Sequence, residues 1–239
     1  MLRRLWRRIV RNGFRLLYNE MAWTYDLVSW VVSLGEWRNW QQAALAFVKG
    51  ERVLEIAHGP GHMLLALSDA GWCVTGLDLS PHMGRIAWRR VRAHARRISL
   101  VRGDVQALPF RAQTFDTVYC TFPTYFIAQN ETMEAVQRVL RPGGRYLIVP
   151  EGHLTGGGIV QRFISWLYAI TGQRDDVFAV NEEDSWPGET PAWRTFSERM
   201  RQSGFTIEVH KVRLARSAAT AIVATRTEVE YGVRTVDES

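Results

Sequence analysis

The sequence predicts an α/β domain: a mostly parallel sheet of seven strands with helices on both faces, preceded by an N-terminal helical extension. Three observations carry this. Short β-branched and aliphatic runs alternate with helical patterns from Arg52 onward. The first of those runs breaks into a glycine-bearing loop ahead of a helix. The composition, 46% hydrophobic and 23% charged in 239 residues, is enough for one domain with a sizeable core and a modest appendage.

Strands are predicted at Arg52–Ile56, Cys73–Leu77, Ile98–Arg102, Phe115–Thr121 and Arg145–Pro150, with helices at Met63–Asp69, Pro81–His94 and Thr132–Leu140. Ser80 suits an N-cap, and Pro81 suits the first turn because it has no N–H to satisfy. Strands alternating with helices over short connections argue for a parallel sheet covered on both faces. A further helix is predicted at Ala192–Ser203, ending at Gly204, and two late strands at Phe205–Arg213 and Ala218–Arg226. Between these regions the chain is less regular. Ile159–Ile170 reads as an apolar helix rich in aromatics, and residues 171–191 as an acidic, proline-containing loop of the kind that walls a pocket. Residues 227–239 read as a polar tail. Cys73 and Cys120 each fall inside a predicted strand and read as small buried hydrophobes in a reducing compartment. No metal-ligand cluster is evident among six histidines and two cysteines.

The stretch Val53-Leu54-Glu55-Ile56-Ala57-His58-Gly59-Pro60-Gly61 is the most informative. Where a strand gives way to a helix, a glycine loop exposes backbone N–H groups to a polar ligand. Nineteen residues after Gly59, a second strand ends in Asp78, a spacing that suits a carboxylate accepting hydrogen bonds from ribose hydroxyls. Two cofactor classes compete. A dinucleotide fold wants G-x-G-x-x-G, but Leu64 stands where the third glycine belongs, and Ala57 prevents a shifted register. Glu55 just ahead of the loop would repel a diphosphate. It suits a zwitterionic amino-acid moiety or a sulfonium. The bland alternative is an ordinary βα turn with no ligand.

This loop resembles motif I of the class I S-adenosylmethionine-dependent methyltransferases, E-x-G-x-G-x-G, with Ala57 in place of the first glycine. Val101–Phe110 resembles that family's G-D-x-x-x-L-P-F segment. Thr114–Phe122 resembles the strand that floors its active site, and Leu140–Val149 its L-R-P-G-G turn and following strand. The resemblance implies a Rossmann-like sheet closed by an antiparallel pair. It implies S-adenosyl-L-methionine as cofactor, held by Glu55, Ala57, Gly59, Gly61, Asp78, Asp104 and Thr121, with Leu79, Met83 and Val105 against the adenine ring.

The N-terminal residues 1–48 lie outside that pattern and are expected to form a helical lid region before a methyltransferase domain at 49–226. Leu2, Leu5, Trp6, Ile9, Val10, Leu16 and Leu17 recur at helical spacing, with Arg3, Arg4, Arg7, Arg8, Arg11 and Arg15 on the opposite face. Residues 1–17 therefore suit the surface of an anionic membrane or a helix docked over the cofactor mouth. No apolar run approaches the ~20 residues that span a bilayer, and the arginines break up any secretory core. The expected residence is cytoplasmic, peripheral at the inner membrane face.

Tyr18–Asp26, Ser33-Leu34-Gly35 and Trp37–Trp40 resemble the stretch ahead of the cofactor fold in ubiquinone/menaquinone-biosynthesis and some bacterial phospholipid methyltransferases. That resemblance places Tyr25 near the cofactor carboxylate or the substrate. Read from the residues alone, Tyr25 is core packing.

A net charge of +6 and a second arginine cluster on and after Pro81–His94 make nucleic acid a rival partner. The strand end Cys120-Thr121-Phe122-Pro123 does not match the tetrad of base-amine methylases. The acceptor is expected to be small or lipophilic: quinone-like, a phospholipid or a secondary metabolite. Carbon or phenol methylation benefits from a general base, and His153 is the positional candidate, whereas amine methylation needs none. His58 and His62 read as packing residues of the loop. A noncatalytic cofactor-binding regulator and a nucleic-acid methyltransferase remain the alternative readings.

Overall fold

The computed structural model describes residues 33–94, 97–154 and 190–227. Strands β1 (Arg52–Ile56), β2 (Cys73–Asp78), β3 (Ser99–Arg102), β4 (Phe115–Thr121) and β5 (Leu140–Val149) lie parallel in the order β3-β2-β1-β4-β5. β8 (Ser217–Arg226) adds antiparallel to β5, and β7 (Phe205–Arg213) adds antiparallel to β8. β6 (Gly152–Leu154) pairs with Ser217–Ala219 of β8. β7 already occupies the other edge of β8 there, with Arg213 opposite Ala218, so β6 shares the edge that β5 uses. It continues β5 past an interruption at Pro150 and Glu151, which the Thr220 N–H bridges by donating to the Glu151 carbonyl at 3.2 Å. Eight strand segments thus fill the seven expected positions.

Strand alternation splits each strand between two cores. Leu54 and Ile56 join one with α4 (Asn130–Val139) and α5 (Pro191–Gln202). Val53 joins the other, beneath α1 (Trp37–Gln41), α2 (His62–Asp69) and α3 (Pro81–Ala93). Each helix buries one stripe: Met133, Val136 and Val139 in α4, and Met83, Ala87 and Val91 in α3. α3 starts as expected, with the Ser80 hydroxyl accepting from the Met83 N–H at 3.3 Å. α5 uses the same device one residue earlier than predicted: Thr190 accepts from the Trp193 N–H at 3.2 Å, and Pro191 occupies the first turn.

Two expectations need correction. β5 begins at Leu140, not Arg145: Leu140 pairs with Phe115, the register then shifts before Thr117, and Gly143 takes φ +67°. What reads as a turn is the bulged start of a strand. Cys120 is buried but Cys73 is exposed, because the first residue of β2 projects past the helices that cover the rest of the strand. β1 lies between them, and both thiols are free. The expected helices at 1–17 and 159–170, the loop over 171–189, Tyr25 and the tail from residue 228 lie outside the described residues.

At the amino ends of the strands, Asp116 fastens β1 to β4 and β5. Its Oδ2 accepts from the N–H groups of Glu51 and Arg52 at 3.0 and 2.9 Å, and Oδ1 from Arg141 at 2.6 Å. Gly50, at φ +70°, lies so close that a Cβ there would sit 2.4 Å from Asp116.

At the other end, the β1–α2 loop is wound left-handed: Ala57 at φ +53°, Gly59 at +54° and Gly61 at +82°. Gly61 also admits α3, since a Cβ would stand 2.9 Å from that of Ala87. Ala57 has no such excuse. A left-handed alanine costs roughly 1–2 kcal/mol, so the glycine usual in motif I is what the backbone asks for.

Two outcomes are expected. Ala57→Gly should raise unfolding stability by about 1 kcal/mol after the entropy of the freer unfolded chain is deducted, read by urea denaturation. A less stable variant would reject the strain assignment. Asp116→Ala should cost about 1–3 kcal/mol near neutrality. Burial raises the Asp116 carboxyl, but the Arg52 and Glu51 N–H groups and the Arg141 guanidinium outweigh it and hold it below its ordinary value of 3.8. The native state therefore resists protonation, and this contribution is present above pH 3.8 and vanishes as pH falls through the lowered value. Wild type and variant should converge in acid. A gap that persists there would contradict the linkage.

Candidate functional site

From β1 the chain steps to β2 and β3 in one direction, then returns to β4 and β5 in the other. Such a reversal leaves a crevice at the carboxyl ends of β1 and β4, where no crossover covers the sheet. The Ala57–Gly61 loop sits there. Asp78, at the end of β2, holds it: Oδ2 accepts from the Gly59 N–H at 2.8 Å, and Oδ1 from the Ser80 N–H at 2.8 Å. One carboxylate thus ties the loop to the start of α3 and keeps further lone pairs for a ligand. The Arg90 guanidinium donates to the Pro60 carbonyl from α3.

Glu55 lies in a row across the sheet, Gly76-Glu55-Tyr119-Leu147, beneath this loop. It is 1% exposed, and its Oε2 has no hydrogen-bond partner. Burial, and secondarily the Asp78 charge, push its carboxyl well above the ordinary range. His58, buried beside it in sequence, donates from Nδ1 to the Gly59 carbonyl at 2.7 Å, and desolvation against the opposing pull of Asp78 holds it below its ordinary value. A buried carboxyl oxygen without a donor is costly unless a donor arrives with a ligand. Gly59 supplies the room, since a Cβ built there meets no atom within 4 Å. Two carboxyl groups and an open left-handed loop favour a cationic, amino-acid-bearing nucleoside over a diphosphate. The residues present fit S-adenosylmethionine.

The remaining expected contacts are arranged unevenly. Leu79 is 62% exposed beside Asp78, while Val105 and Met83 are 9% and 1% exposed. Val105 and Met83 are thus both buried side chains, Val105 within the core cluster that holds Leu77 and Leu108. Asp104 is exposed and caps a short 3-10 turn, accepting from the Gln106 N–H at 3.0 Å. Thr121 ends β4, and its hydroxyl accepts from the Gln41 amide at 3.3 Å.

That bond belongs to a roof which the sequence did not reveal as a unit. Tyr119 donates to the Gln41 carbonyl at 2.7 Å, anchoring α1 over β4. Trp37 stacks on Phe122 with centroids 4.0 Å apart, and Trp40 meets the same ring edge-on at 6.5 Å. Trp40 lies flush on Gly152, where a Cβ would be 2.2 Å from the indole. Phe122, directly after Thr121, has φ +47°, and its N–H donates to the Val149 carbonyl at 2.7 Å. Nothing in the residue type foretells a left-handed phenylalanine. Such outliers persist where surroundings over-determine them, often beside a site. His153 sits on β6, beyond the end of β5, with Nε2 3.1 Å from Glu151 Oε1. Burial raises the Glu151 carboxyl, against the lowering influence of His153. Among the described residues no group of three His, Cys, Asp or Glu side chains is placed to hold a metal, and no helix is long and apolar enough to cross a membrane.

Comparison with known proteins agrees with this geometry. Residues 53–144 match a family model described as a methyltransferase domain. The chain is 32% identical over 145 residues to a demethylmenaquinone methyltransferase of Renibacterium salmoninarum, covering 59% of this chain and 60% of that protein. It is 36% identical over 143 residues to the Thermobifida fusca protein of the same name, covering 58% and 61%. The matched part thus spans about 60% of the length of these curated relatives. In fold, it is similar to Haemonchus contortus phosphoethanolamine N-methyltransferase 2 in complex with S-adenosylmethionine. That likeness has a TM-score of 0.54 at 17% identity and covers 80% of this chain and 53% of that one. The motif-bearing loop, the Asp78 anchor and the orphaned Glu55 all lie within the stretch that matches the methyltransferase-domain model, and the sheet that carries them is similar in fold to a methyltransferase solved with S-adenosylmethionine.

Proposed function

We propose that this protein transfers the methyl group of S-adenosylmethionine to a lipophilic, quinone-like acceptor. The observation that carries the reading is the unpartnered Oε2 of Glu55 beneath an open glycine loop. The demethylmenaquinone relatives favour the acceptor class. The cofactor supplies an already activated methyl, so the protein's task is to position, desolvate and accept a proton. Positioning of this kind is worth about 7–11 kcal/mol.

In this reading Glu55 takes the methionine ammonium, Asp78 the ribose hydroxyls, and the Ala57–Gly61 backbone the cofactor's methionine part. Asp104 takes the adenine amino group, and Leu79, Met83 and Val105 its ring. Thr121, held by Gln41, borders the reacting centre. The Trp37, Trp40 and Phe122 rings keep water from it, as part of a lid formed by residues 1–48 over a methyltransferase unit at 49–226. As an acceptor carbon or oxygen forms its bond to the methyl, the carbon–sulfur bond breaks and the acceptor's proton leaves. His153, steadied by Glu151, is the group proposed to receive it, and Tyr25 is proposed to border the same space. The protein would work on the cytoplasmic side, at a membrane that holds such acceptors, with residues 1–17 against its anionic surface.

Labelled cofactor offered with a demethylated naphthoquinol should transfer label to the lipid fraction. Cofactor binding without transfer to any lipid extract would sink the proposal. Asp78→Ala should weaken S-adenosylmethionine and its demethylated product about tenfold or more, since it removes charge-assisted bonds of roughly 1.5–3 kcal/mol each. Calorimetry showing equal affinity rejects the ribose role.

Glu55 yields a pH test. Without ligand, the folded state keeps its proton above the ordinary value of 4.5, so this group's contribution to stability declines as pH rises from there through the raised value. A bound ammonium favours the ionised form, so binding should release a proton, seen as a heat that depends on buffer ionisation. Glu55→Gln should abolish that release and weaken binding. Proton release unchanged in the variant would assign the ammonium elsewhere.

A further inference from the structure

The outward face of α3 has no part in the cofactor site, yet its composition is specific. From Leu79 to Gly103 the chain has no acidic residue. Because Met83, Ala87 and Val91 point into the core, Arg85, Trp88, Arg89 and Arg92 share the opposite side at i, i+3, i+4 and i+7. All four are exposed, Trp88 by 52%. The Arg92 guanidinium lies over the Trp88 ring, 5.2 Å from its centroid. Arg85 meets only the His82 ring, and none of Arg85, Arg89, Arg92 or Arg97 pairs with a carboxylate of the described residues. Beside Trp88 runs an open groove of about 520 Å³ with Arg92 and Arg97 on its rim and Val91, Ile98 and Leu100 along it.

The geometry points to this face as a docking surface for an anionic phospholipid bilayer. Arginines that pair with no carboxylate of the described residues match the charge of the headgroups. An exposed tryptophan among them is the side chain that settles at the headgroup level, its ring in the apolar boundary. The groove is lined by both apolar and basic side chains, which suits a phospholipid whose phosphate and upper chain arrive together. The inference concerns a surface separate from residues 1–17 and stands whatever the methyl acceptor is.

The test is flotation of the full chain with phosphatidylglycerol vesicles and with phosphatidylcholine vesicles. Each arginine near an anionic surface is worth roughly fivefold in partitioning. The Arg89→Glu/Arg92→Glu variant should therefore lose at least about tenfold of its phosphatidylglycerol binding, and Trp88→Ala should lose a smaller part. Both should keep wild-type affinity for S-adenosylhomocysteine, which shows that they fold. Raised salt should weaken the wild type more than the charge-reversed variant. Because residues 1–17 are present in every protein compared, the difference isolates α3. Equal flotation of wild type and folded variants would overturn the proposal, as would a wild type indifferent to phosphatidylglycerol. Binding to single-stranded nucleic acid that the variants lose, without vesicle binding, would overturn it in favour of a nucleic-acid surface. Should the double reversal fail to bind S-adenosylhomocysteine, Trp88→Ala and Arg92→Gln carry the same comparison.

Discussion

A carboxyl group buried without a donor is the constraint around which this domain is organised. Glu55 lies at the centre of the sheet, one residue from the end of β1, where water cannot reach its Oε2. A protein that merely needed a core would place an aliphatic residue there, since every neighbour in its row serves packing. Burial favours its protonated form, and in the proposed function a cofactor ammonium would take the place of that proton. Its position fixes where that cation must come: under the loop, at the reversal of strand order between β1 and β4.

Everything else at the carboxyl edge supports that point. Asp78 uses one lone pair from each oxygen to fasten Gly59 and Ser80, so one side chain ties the loop to the first turn of α3. Gly61 and Ala87 let α3 approach, a role that the third glycine of a dinucleotide motif plays elsewhere. Leu64 can therefore occupy that third position as a core residue, 0% exposed and packed toward Gly76. The small residue has moved to a neighbouring strand and a neighbouring helix, and the close packing is kept.

Two of the four left-handed residues other than glycine among the described residues border this edge: Ala57 follows β1 and Phe122 follows β4, the two strands beside the crevice. Both carry strain that the surrounding hydrogen bonds and aromatic stack hold in place. The roof of Trp37, Trp40 and Gln41 makes this possible, since it clamps Thr121 and Phe122 from above through contacts about eighty residues apart in sequence. The same sheet face carries α1, α2 and α3, so the roof and the basic face of α3 belong to one layer.

Much of this was legible in the residues. Short β-branched and aliphatic runs located β1 and β4, buried along most of their length, to the residue, and apolar–polar alternation located β7, which faces the core on one side only. Ser80 and Pro81 marked the start of α3 because capping is chemistry local to four residues. Glu55, the glycine loop and Asp78 announced a cationic nucleoside ligand, since charge and spacing are properties of sequence. What local pattern could not decide was where distant segments meet. The bulged start of β5 follows from its pairing with Phe115, the exposure of Cys73 from where helical cover stops, and the pairing of His153 with Glu151 from the break that lets β6 continue β5. Phe122 took a left-handed backbone only because Trp37 and Val149 hold it there. Residue types and spacings determine which ligand a strand end can suit. Long-range packing alone determines which side chains close over it, because those contacts depend on the path of the whole chain.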